Sequence, residues 1–339
     1  MTTALPSSVA TARELVDPAL RQAVDRLDPA VRRVAGYHFG WVDAAGEPLA
    51  GGRGGKALRP ALALLSAQLT GAPAHRGIPA AVAVELVHNF SLLHDDLMDG
   101  DTERHHRPTA WTLFGSSAAI LAGDALLALA SEVLLEDSSP TAAWAHRCLS
   151  AATQRLITGQ SADLHFEQRL DVTRAECLAM ASDKTGALLS CAASIGAVLV
   201  DASPHLVVEL AEFGSHLGLA FQLVDDLLGI WGTPTSTGKP VLADLRARKK
   251  SVPVVAALTS GTDTAERLRD LYARPETLSE EELREVAALI EESGAREWTE
   301  RESSRQLAEA ERHLDQAAPA GPVHEQLRDI ARFVTRRDL

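Results

Sequence analysis

The segment 79–99, PAAVAVELVHNFSLLHDDLMD, is a long apolar stretch that ends in three aspartates, Asp95, Asp96 and Asp99. These aspartates and His88 recur at the spacing of one α-helical stripe. Neighbouring aspartates on a helix repel each other, so they do not stabilise it. Because buried charge is costly, carboxylates on an apolar helix usually face cations or a metal ion. The segment therefore predicts a helix that carries an acidic site.

A second acidic site lies about 130 residues further along, in the apolar stretch 204–231. It contains Asp225 and Asp226, with Gln222 one turn before Asp226. If the two acidic helices face one another, their carboxylates can hold Mg²⁺ ions and, through them, a diphosphate. A basic run follows the second site, and its members are Arg246, Arg248, Lys249 and Lys250. Beside a diphosphate, such cations would neutralise charge that develops on a leaving group.

The composition and periodicity predict an all-α protein. The chain has 339 residues, of which 46% are hydrophobic and only 4% aromatic. Ala and Leu dominate, which favours helices, and we find no comparable β-alternating run. The long apolar-periodic stretches cover roughly 56–72, 79–99, 114–136, 141–158, 173–200 and 204–231. We expect one domain over 1–339, a single helical bundle with a central active-site cavity. Residues 1–12 are expected to be flexible, and shorter amphipathic helices to follow from about 262.

The remaining composition bears on location and partners. The net charge of −13 disfavours nucleic-acid binding. Residues 1–12 show no secretory signal, and the long apolar stretches are interrupted by Asp124 or too short to span a bilayer. The three cysteines, Cys148, Cys177 and Cys191, have no metal-ligand spacing and fit a reducing compartment. We therefore predict a cytoplasmic protein without stable membrane insertion.

Several ordered motifs make the chain resemble the trans-isoprenyl diphosphate synthases, or polyprenyl synthetases, over nearly its whole length. The segment 54–60, GGKALRP, is similar to the family's grip on isopentenyl diphosphate. The resemblance implies that Lys56, Arg59 and His88 bind that diphosphate. It also implies that Asp95, Asp96 and Asp99 are the first Asp-rich, metal-binding motif. Arg104 matches the arginine that contacts the allylic diphosphate.

The later motifs continue the resemblance. It implies catalytic roles for Asp95, Asp96, Lys184, Thr185, Gln222, Asp225 and Lys239. It implies that Asp225 is also a metal ligand, and that Asp226 and Lys249 bind substrate. Three positions depart from the family pattern. His105 replaces a second arginine, Gly229 replaces the last aspartate of the second motif, and Thr233 stands at a commonly acidic position. These departures bear on metal affinity and on the binding of isopentenyl diphosphate, for which His105 would be a weaker, pH-dependent ligand.

The resemblance implies a head-to-tail prenyl transfer by a homodimer that uses Mg²⁺, three ions with bound diphosphate. The allylic diphosphate would ionise, and the double bond of isopentenyl diphosphate would attack the cation. Product length is expected to depend on Ser91 and Phe90, four and five residues before Asp95. In the family, an aromatic residue at the fifth position alone accompanies a twenty-carbon product, so the resemblance suggests geranylgeranyl diphosphate.

Two other functions remain open at this stage. A class I terpene cyclase uses the same ionisation but needs no second diphosphate site, so Lys56, Arg59 and His88 argue against it. A non-catalytic subunit of a heteromeric prenyl synthase would keep the fold and lose carboxylates. Gly229 and Thr233 fit such a subunit, whereas the intact first aspartate motif does not.

Overall fold

The computed structural model describes residues 5–49, 57–233, 241–274 and 276–335. Over these residues the chain is helical, as the sequence predicts. In chain order the α-helices are α1 Ser7–Val24, α2 Pro29–His38, α3 Leu58–Gln68, α4 Ile78–Met98, α5 Ala110–Phe114, α6 Ser116–Leu135, α7 Pro140–Glu167, α8 Arg174–Ala181, α9 Ala187–Leu199, α10 Pro204–Trp231, α11 Ala243–Arg246, α12 Val252–Leu258, α13 Asp263–Ala273, α14 Glu280–Glu292, α15 Ala295–Ala317 and α16 Pro322–Thr335. A 3₁₀ turn covers Ala74–Gly77, and a π-helical turn, Ser182–Gly186, joins α8 to α9.

Side-chain caps set the start of several helices. The hydroxyl of Ser139 accepts from the Ala142 amide at the start of α7, and Ser203 caps α10 in the same way. Thr173 and Glu176 form a reciprocal capping box at the start of α8. Each such cap stabilises its helix by about 0.5–2 kcal/mol. The caps place the starts of these helices within one or two residues of the predicted apolar stretches.

The core lies between the long apolar helices. Helix α10 packs along α15 and α9, while α4 packs against α6 and α3. Helix α9 is buried between α3, α7 and α10, which explains why its sequence is apolar nearly all round. Fully buried Phe213 and Leu217 of α10 join Leu86 of α4 and Leu188 of α9 in one hydrophobic cluster. This packing confirms the predicted all-α bundle; the single-domain organisation stays a prediction.

Two segments differ from the sequence-based expectations. The flexible segment predicted over 1–12 is wrong from Ser7 onward, because α1 begins there and buries Val9 and Ala12 in the core. A short hairpin, β1 Glu103–Arg104 with β2 Arg107–Pro108, follows α4. Its two turn residues, His105 and His106, have positive φ angles of 52° and 60°. This hairpin folds Arg104 back toward the end of α4.

Two helices are long and apolar enough to cross a membrane by length and composition, α6 and α10. In each, 44% of the most apolar window is buried inside the protein. The expectation from the sequence is that these stretches are interrupted by Asp124 or are too short to span a bilayer. Core helices of globular proteins pass the same test, so the observation is weak support for a membrane span.

Candidate active site

The first acidic site lies at the carboxyl end of α4. Asp95 and Asp96 are in its last turn, Asp99 is its C-cap, and Gly100 follows with a φ of +68°. Glycine is the residue that most readily adopts this left-handed conformation after a helix, so the chain can turn back there. The carboxyl end of a helix carries partial negative charge, which disfavours three more anions. The aspartates must therefore be compensated by cations from elsewhere.

Two cations from distant parts of the chain reach this cluster. Arg104 contacts the buried Asp96 through Nη2 at 2.6 Å and Nε at 2.8 Å from the same carboxylate oxygen, Oδ1. Lys249 places its Nζ 3.1 Å from Oδ2 of Asp99. The charge of Asp99 raises the pKa of Lys249 above its ordinary value, although burial opposes the shift. Both cations therefore remain charged beside the aspartates.

Asp95 is the least compensated of the three. Burial, together with the charges of Asp99 and Asp96, raises its pKa to about 6, while Lys184 and Arg104 act to lower it. An under-compensated carboxylate beside two others offers several hard oxygen donors on one side of a helix. Mg²⁺ takes such donors, one or two carboxylates with water and phosphate oxygens completing its shell. The donor set thus fits Mg²⁺, and Asp95 and Asp99 are the residues that would hold it.

The π-helical turn Ser182–Gly186 holds two more of the predicted residues. Nζ of Lys184 pairs with Oδ2 of Asp163 on α7 at 2.5 Å. The hydroxyl of Thr185 donates to Oε1 of Gln222 on α10 at 2.6 Å. Single π turns inside α-helices are frequent at functional sites because they redirect side chains. Here the turn points Lys184 and Thr185 toward α7 and α10 respectively.

The second acidic site divides its two aspartates between different tasks. Oδ1 of Asp226 accepts from Nε2 of Gln222 at 2.7 Å, and its Oδ2 accepts from the Val252 amide at 2.8 Å. Burial raises the pKa of Asp226 to about 7, against the effect of these hydrogen bonds. With both oxygens used inside the protein, Asp226 fixes α12 against α10. These contacts suit a positioning role for Asp226, and the expectation that it binds substrate stays a prediction.

Asp225 is less buried than Asp226, and its charge acts to raise the pKa of Arg59. Arg59 in turn lies 3.2 Å from His88, measured from Nη1 to Nε2. Since an arginine can only donate, His88 accepts at Nε2. Burial, followed by the charges of Arg59 and Arg104, holds the pKa of His88 well below its usual range. His88 is thus a neutral group in a cationic pocket.

Three neighbours of this pocket are not among the predicted site residues: His38, Asn89 and Glu85. Burial, followed by the charge of Arg104, lowers the pKa of His38 on α2 to about 3, although a hydrogen bond with Asn89 opposes the shift. Asn89 also donates to Oε1 of the buried Glu85 at 3.2 Å. The charge of Glu85 opposes the lowering of the Arg59 pKa by burial. Residue spacing carries no signal for His38, because α2 reaches the site only through the fold.

Gly229 has a specific structural reason. A Cβ atom at this position would lie 2.0 Å from Oδ2 of Asp244, so the Asp244 carboxylate fills the place of a side chain at 229. Asp244 also raises the pKa of Asp226 and of Lys249. A carboxylate therefore lies beside position 229, although it comes from a residue 15 positions later in the sequence (244 minus 229).

The basic run does not act as a unit. Only Lys249 of the run pairs with the first acidic site among the contacts of the described residues. Arg246 pairs with Glu280 at 2.7 Å, Arg248 donates to the carbonyls of Arg274 and Glu276, and Lys250 lies over the ring of Tyr272. The expectation that the whole run faces a leaving group is therefore wrong except for Lys249.

The remaining predicted residues fall in three places. Lys56 and Lys239 lie outside the described residues. His105 is exposed at the hairpin turn, and its charge lowers the pKa of both His38 and His88. Phe90 and Ser91 are buried in α4. Phe90 lies edge-on to His94 at 4.9 Å, and Nε2 of His94 is 3.1 Å from the Ile120 carbonyl of α6. The ring of Phe90 therefore lies beside His94, the residue that contacts α6.

The contacts join the predicted residues into one region at the carboxyl ends of α4 and α10. Its described members are Arg59, His88, Asp95, Asp96, Asp99, Arg104, Lys184, Thr185, Gln222, Asp225, Asp226 and Lys249. The region combines an acidic part suited to Mg²⁺ with a cationic part suited to an anion such as a diphosphate.

Comparisons with known proteins agree with this chemistry. The family model described as polyprenyl synthetase matches residues 42–290. A "(2E,6E)-farnesyl diphosphate synthase" of Mycobacterium tuberculosis is 49% identical over 333 residues, which covers 96% of this chain and 91% of the relative. A "geranylgeranyl diphosphate synthase" of the same species is 42% identical over 285 residues, covering 84% of this chain and 81% of the relative.

Solved structures show the same architecture. A polyprenyl synthetase from Streptomyces coelicolor A3(2) superposes with a TM-score of 0.90 at 54% identity, covering 98% of this chain and 99% of that one. A geranylgeranyl pyrophosphate synthase from Corynebacterium glutamicum, complexed with isoprenyl diphosphate and magnesium, gives a TM-score of 0.82 at 26% identity. The match covers 99% of this chain and 100% of that one.

Proposed function

Because the chain belongs to the polyprenyl synthetase family, we propose that it joins isopentenyl diphosphate to an allylic diphosphate, head to tail, and makes geranylgeranyl diphosphate. The chain is a magnesium-dependent isoprenyl diphosphate synthase, a trans-prenyltransferase that binds these two classes of substrate. We also propose the role of each residue, the product length, the number of metal ions and the oligomeric state. The observation that carries the proposal is the juxtaposition of the acidic part with the Arg59–His88 pocket.

The acidic part would bind the allylic diphosphate. Asp95, Asp99 and Asp225 would hold Mg²⁺, and we propose three ions with bound diphosphate. The chemistry that Mg²⁺ supplies there is neutralisation of the diphosphate and Lewis-acid assistance to its departure. Arg104, held by Asp96, and Lys249, held by Asp99, lie where they can donate to the leaving group. Asp96 would thus act by positioning Arg104, with its Oδ1 committed to that pair.

The cationic part would bind isopentenyl diphosphate. Arg59 is charged and fixed by its contact with neutral His88, so the pair can donate to a diphosphate without a metal ion. We include Lys56 and His105 in this pocket on the strength of the resemblance. A terpene cyclase would need no such second anion pocket, and a decayed subunit would not keep every aspartate of the first motif. The structure therefore favours the synthase over both alternatives.

A reactive carbocation must be shielded from water, and the apolar faces of the surrounding helices would provide this shield. Thr185, Gln222 and Asp226 form a hydrogen-bonded chain that fixes α10 against the π turn and α12. Lys184, whose charge reaches Asp95, would stabilise positive charge poorly but would bind the departing diphosphate well. We therefore assign Lys184 to the leaving group and the apolar helix faces to the cation.

Product length is proposed from the residues beneath the first acidic site. Ser91 is small and folds its hydroxyl back onto the His88 carbonyl at 2.8 Å, which leaves room for a growing chain. Phe90 lies beside His94 and would limit the space there. These features support the twenty-carbon product. The M. tuberculosis farnesyl diphosphate synthase supports a fifteen-carbon product as the second candidate.

The test of product length is chain-length analysis with isopentenyl diphosphate and each allylic diphosphate in turn. The wild type is expected to stop at twenty carbons, Phe90→Ala to give longer products, and Ser91→Phe to give shorter ones. Met98→Ala, at an exposed position of the same helix, is the control and should leave the distribution unchanged. A wild-type stop at fifteen carbons would favour the second candidate. Unchanged products from both Phe90→Ala and Ser91→Phe would place the floor elsewhere.

An apolar surface supports the proposed homodimer. Helix α6 exposes Ile120, Leu121 and Leu135, and Leu113 of α5 is exposed nearby in sequence. Apolar side chains clustered on one helix face are common at interfaces between subunits. Sedimentation of the wild type and of Leu121→Glu would test it, with dissociation expected for the variant.

We also keep the cytoplasmic location as a proposal, which the three free cysteines support.

A further inference from the structure

A second group of metal-ligating side chains lies on the opposite part of α10 from its aspartates. Glu212 and His216 are one turn apart on α10, and His313 faces them from α15. One ligand atom from each of the three lies within 4.8 Å of the other two. The rings of His216 and His313 stack with centroids 5.4 Å apart and planes inclined by 15°. His216 precedes Asp226 by ten residues, about 15 Å along the helix, so this group is separate from the proposed active site.

Both imidazoles are held in the form that a metal ion requires. Nδ1 of His313 lies 2.7 Å from a carboxylate oxygen of Glu209, which can only accept, so Nδ1 carries the proton. Nδ1 of His216 lies 2.6 Å from Oε1 of the buried Gln306. Gln306 donates its amide nitrogen to Glu302 at 2.8 Å, which fixes its oxygen toward His216. In the neutral form of each ring, Nε2 therefore has the lone pair, and Nδ1 is supported by an acceptor, as in metal-binding histidines.

A cation already sits at one of these nitrogens. Nη2 of Arg312 is 2.8 Å from Nε2 of His313. An arginine always donates, so this contact agrees with a lone pair on Nε2. Arg312 also binds Glu309 at 2.8 Å and Gln316 at 3.0 Å, which can retain it if the contact with His313 is lost. A metal ion at His313 would displace Arg312 from the ring and would compete with it.

We propose that Glu212, His216 and His313 form a site for a divalent transition-metal ion of the Zn²⁺ class, distinct from the proposed Mg²⁺ site. Two imidazole nitrogens and one carboxylate suit Zn²⁺, Co²⁺ or Ni²⁺, whereas Mg²⁺ prefers oxygen ligands alone. Three protein ligands leave a fourth position of a tetrahedral ion to water. The ion joins α10 to α15 and so restrains the helix that carries Gln222, Asp225 and Asp226.

The test is calorimetric titration of the full chain with ZnCl₂ in the absence of diphosphate. We expect one saturable Zn²⁺ site that is weakened at least about 100-fold by Glu212→Gln or His216→Gln, since loss of a supporting residue alone weakens such sites about 10–100-fold. Glu212 is exposed, so its variant should fold normally. His75→Gln, at an exposed histidine outside α10 and α15, is the matched control and should bind as the wild type does. Equal affinity in the wild type and both ligand variants would overturn the proposal.

Arg312→Ala gives a test in the opposite direction. Removing the competing guanidinium should tighten Zn²⁺ binding, and unchanged or weaker binding would contradict the arrangement. Co²⁺ in place of Zn²⁺ supplies an optical readout independent of prenyl transfer. The wild type should give the strong visible absorption of a four-coordinate ion, and Glu212→Gln should lose it. The weak spectrum of a six-coordinate ion in the wild type would count against the site.

Discussion

The contact between α7 and the π turn links the fold to the proposed chemistry most directly, and Gly159→Ala perturbs it alone. A Cβ at 159 would lie 2.2 Å from the amide nitrogen of Lys184 and 2.7 Å from its Cα. An ordinary contact of this kind is 3.4–4 Å, so α7 and the turn must separate by roughly 1 Å or more. The atoms that block the methyl group belong to the backbone, which no change of side-chain rotamer can move.

The sign of the stability change distinguishes packing from helix propensity. In an exposed helix interior, Gly→Ala stabilises by about 1 kcal/mol. Overpacking costs about 1–3 kcal/mol, so the variant should be destabilised by up to about 2 kcal/mol. The shift also carries Lys184 away from Asp163 and moves Thr185 relative to Gln222. A displacement of about 1 Å can lower turnover about 100-fold.

The measurements are thermal unfolding followed by circular dichroism and steady-state turnover with isopentenyl diphosphate and an allylic diphosphate. Thr158→Ala, at the exposed neighbouring position of α7, is the matched control and should keep the Tm and kcat of the wild type. A higher Tm for Gly159→Ala together with unchanged kcat would refute the reasoning. That result would show that α7 does not press on the π turn.

Two further predictions follow from the site. Gly229→Asp should raise the Mg²⁺ concentration needed for half-maximal turnover, because its side chain would collide with the Asp244 carboxylate. Adding Asp244→Gly to this variant should restore activity. Full activity of Gly229→Asp alone would contradict the predicted collision. His38 has a folded pKa of about 3, below the ordinary 6.5, so the unfolded chain takes up a proton that the folded chain refuses. The contribution of neutral His38 to the free energy of unfolding is therefore lost as pH falls from 6.5 toward 3. In urea unfolding, His38→Gln should lose less of this free energy between pH 7 and pH 5 than the wild type does. Equal losses in the two proteins would contradict the assignment.

The long helices and the acidic motifs could be read from the sequence because their signals are local. Apolar periodicity predicts α4 and α10, and carboxylates on these apolar stretches predict a site at Asp95 and Asp225. The expectation for α8 and α9 as one continuous stretch was right in extent. It could not show the π turn at Lys184, since that turn arises from packing against α7 and α10.

The rest depends on residues that come together only in the folded chain. Nothing in the spacing of Gly229 and Asp244 shows that one occupies the place of the other's side chain. The Val252 amide of α12 donates to Asp226, a contact that the sequence alone does not show. The flexible start of the chain was wrongly predicted because small residues such as Ala12 are weak signals of burial.

We propose that carboxylates at the end of α4 bind Mg²⁺ together with an allylic diphosphate during prenyl transfer. The most direct measurement is turnover of Asp95→Asn with isopentenyl diphosphate, geranyl diphosphate and Mg²⁺, compared with the wild type and with Asp124→Asn, an exposed carboxylate on α6. We expect the wild type and Asp124→Asn to elongate the allylic substrate equally, and Asp95→Asn to lose turnover by orders of magnitude at unchanged Tm. Wild-type turnover in Asp95→Asn would contradict the account.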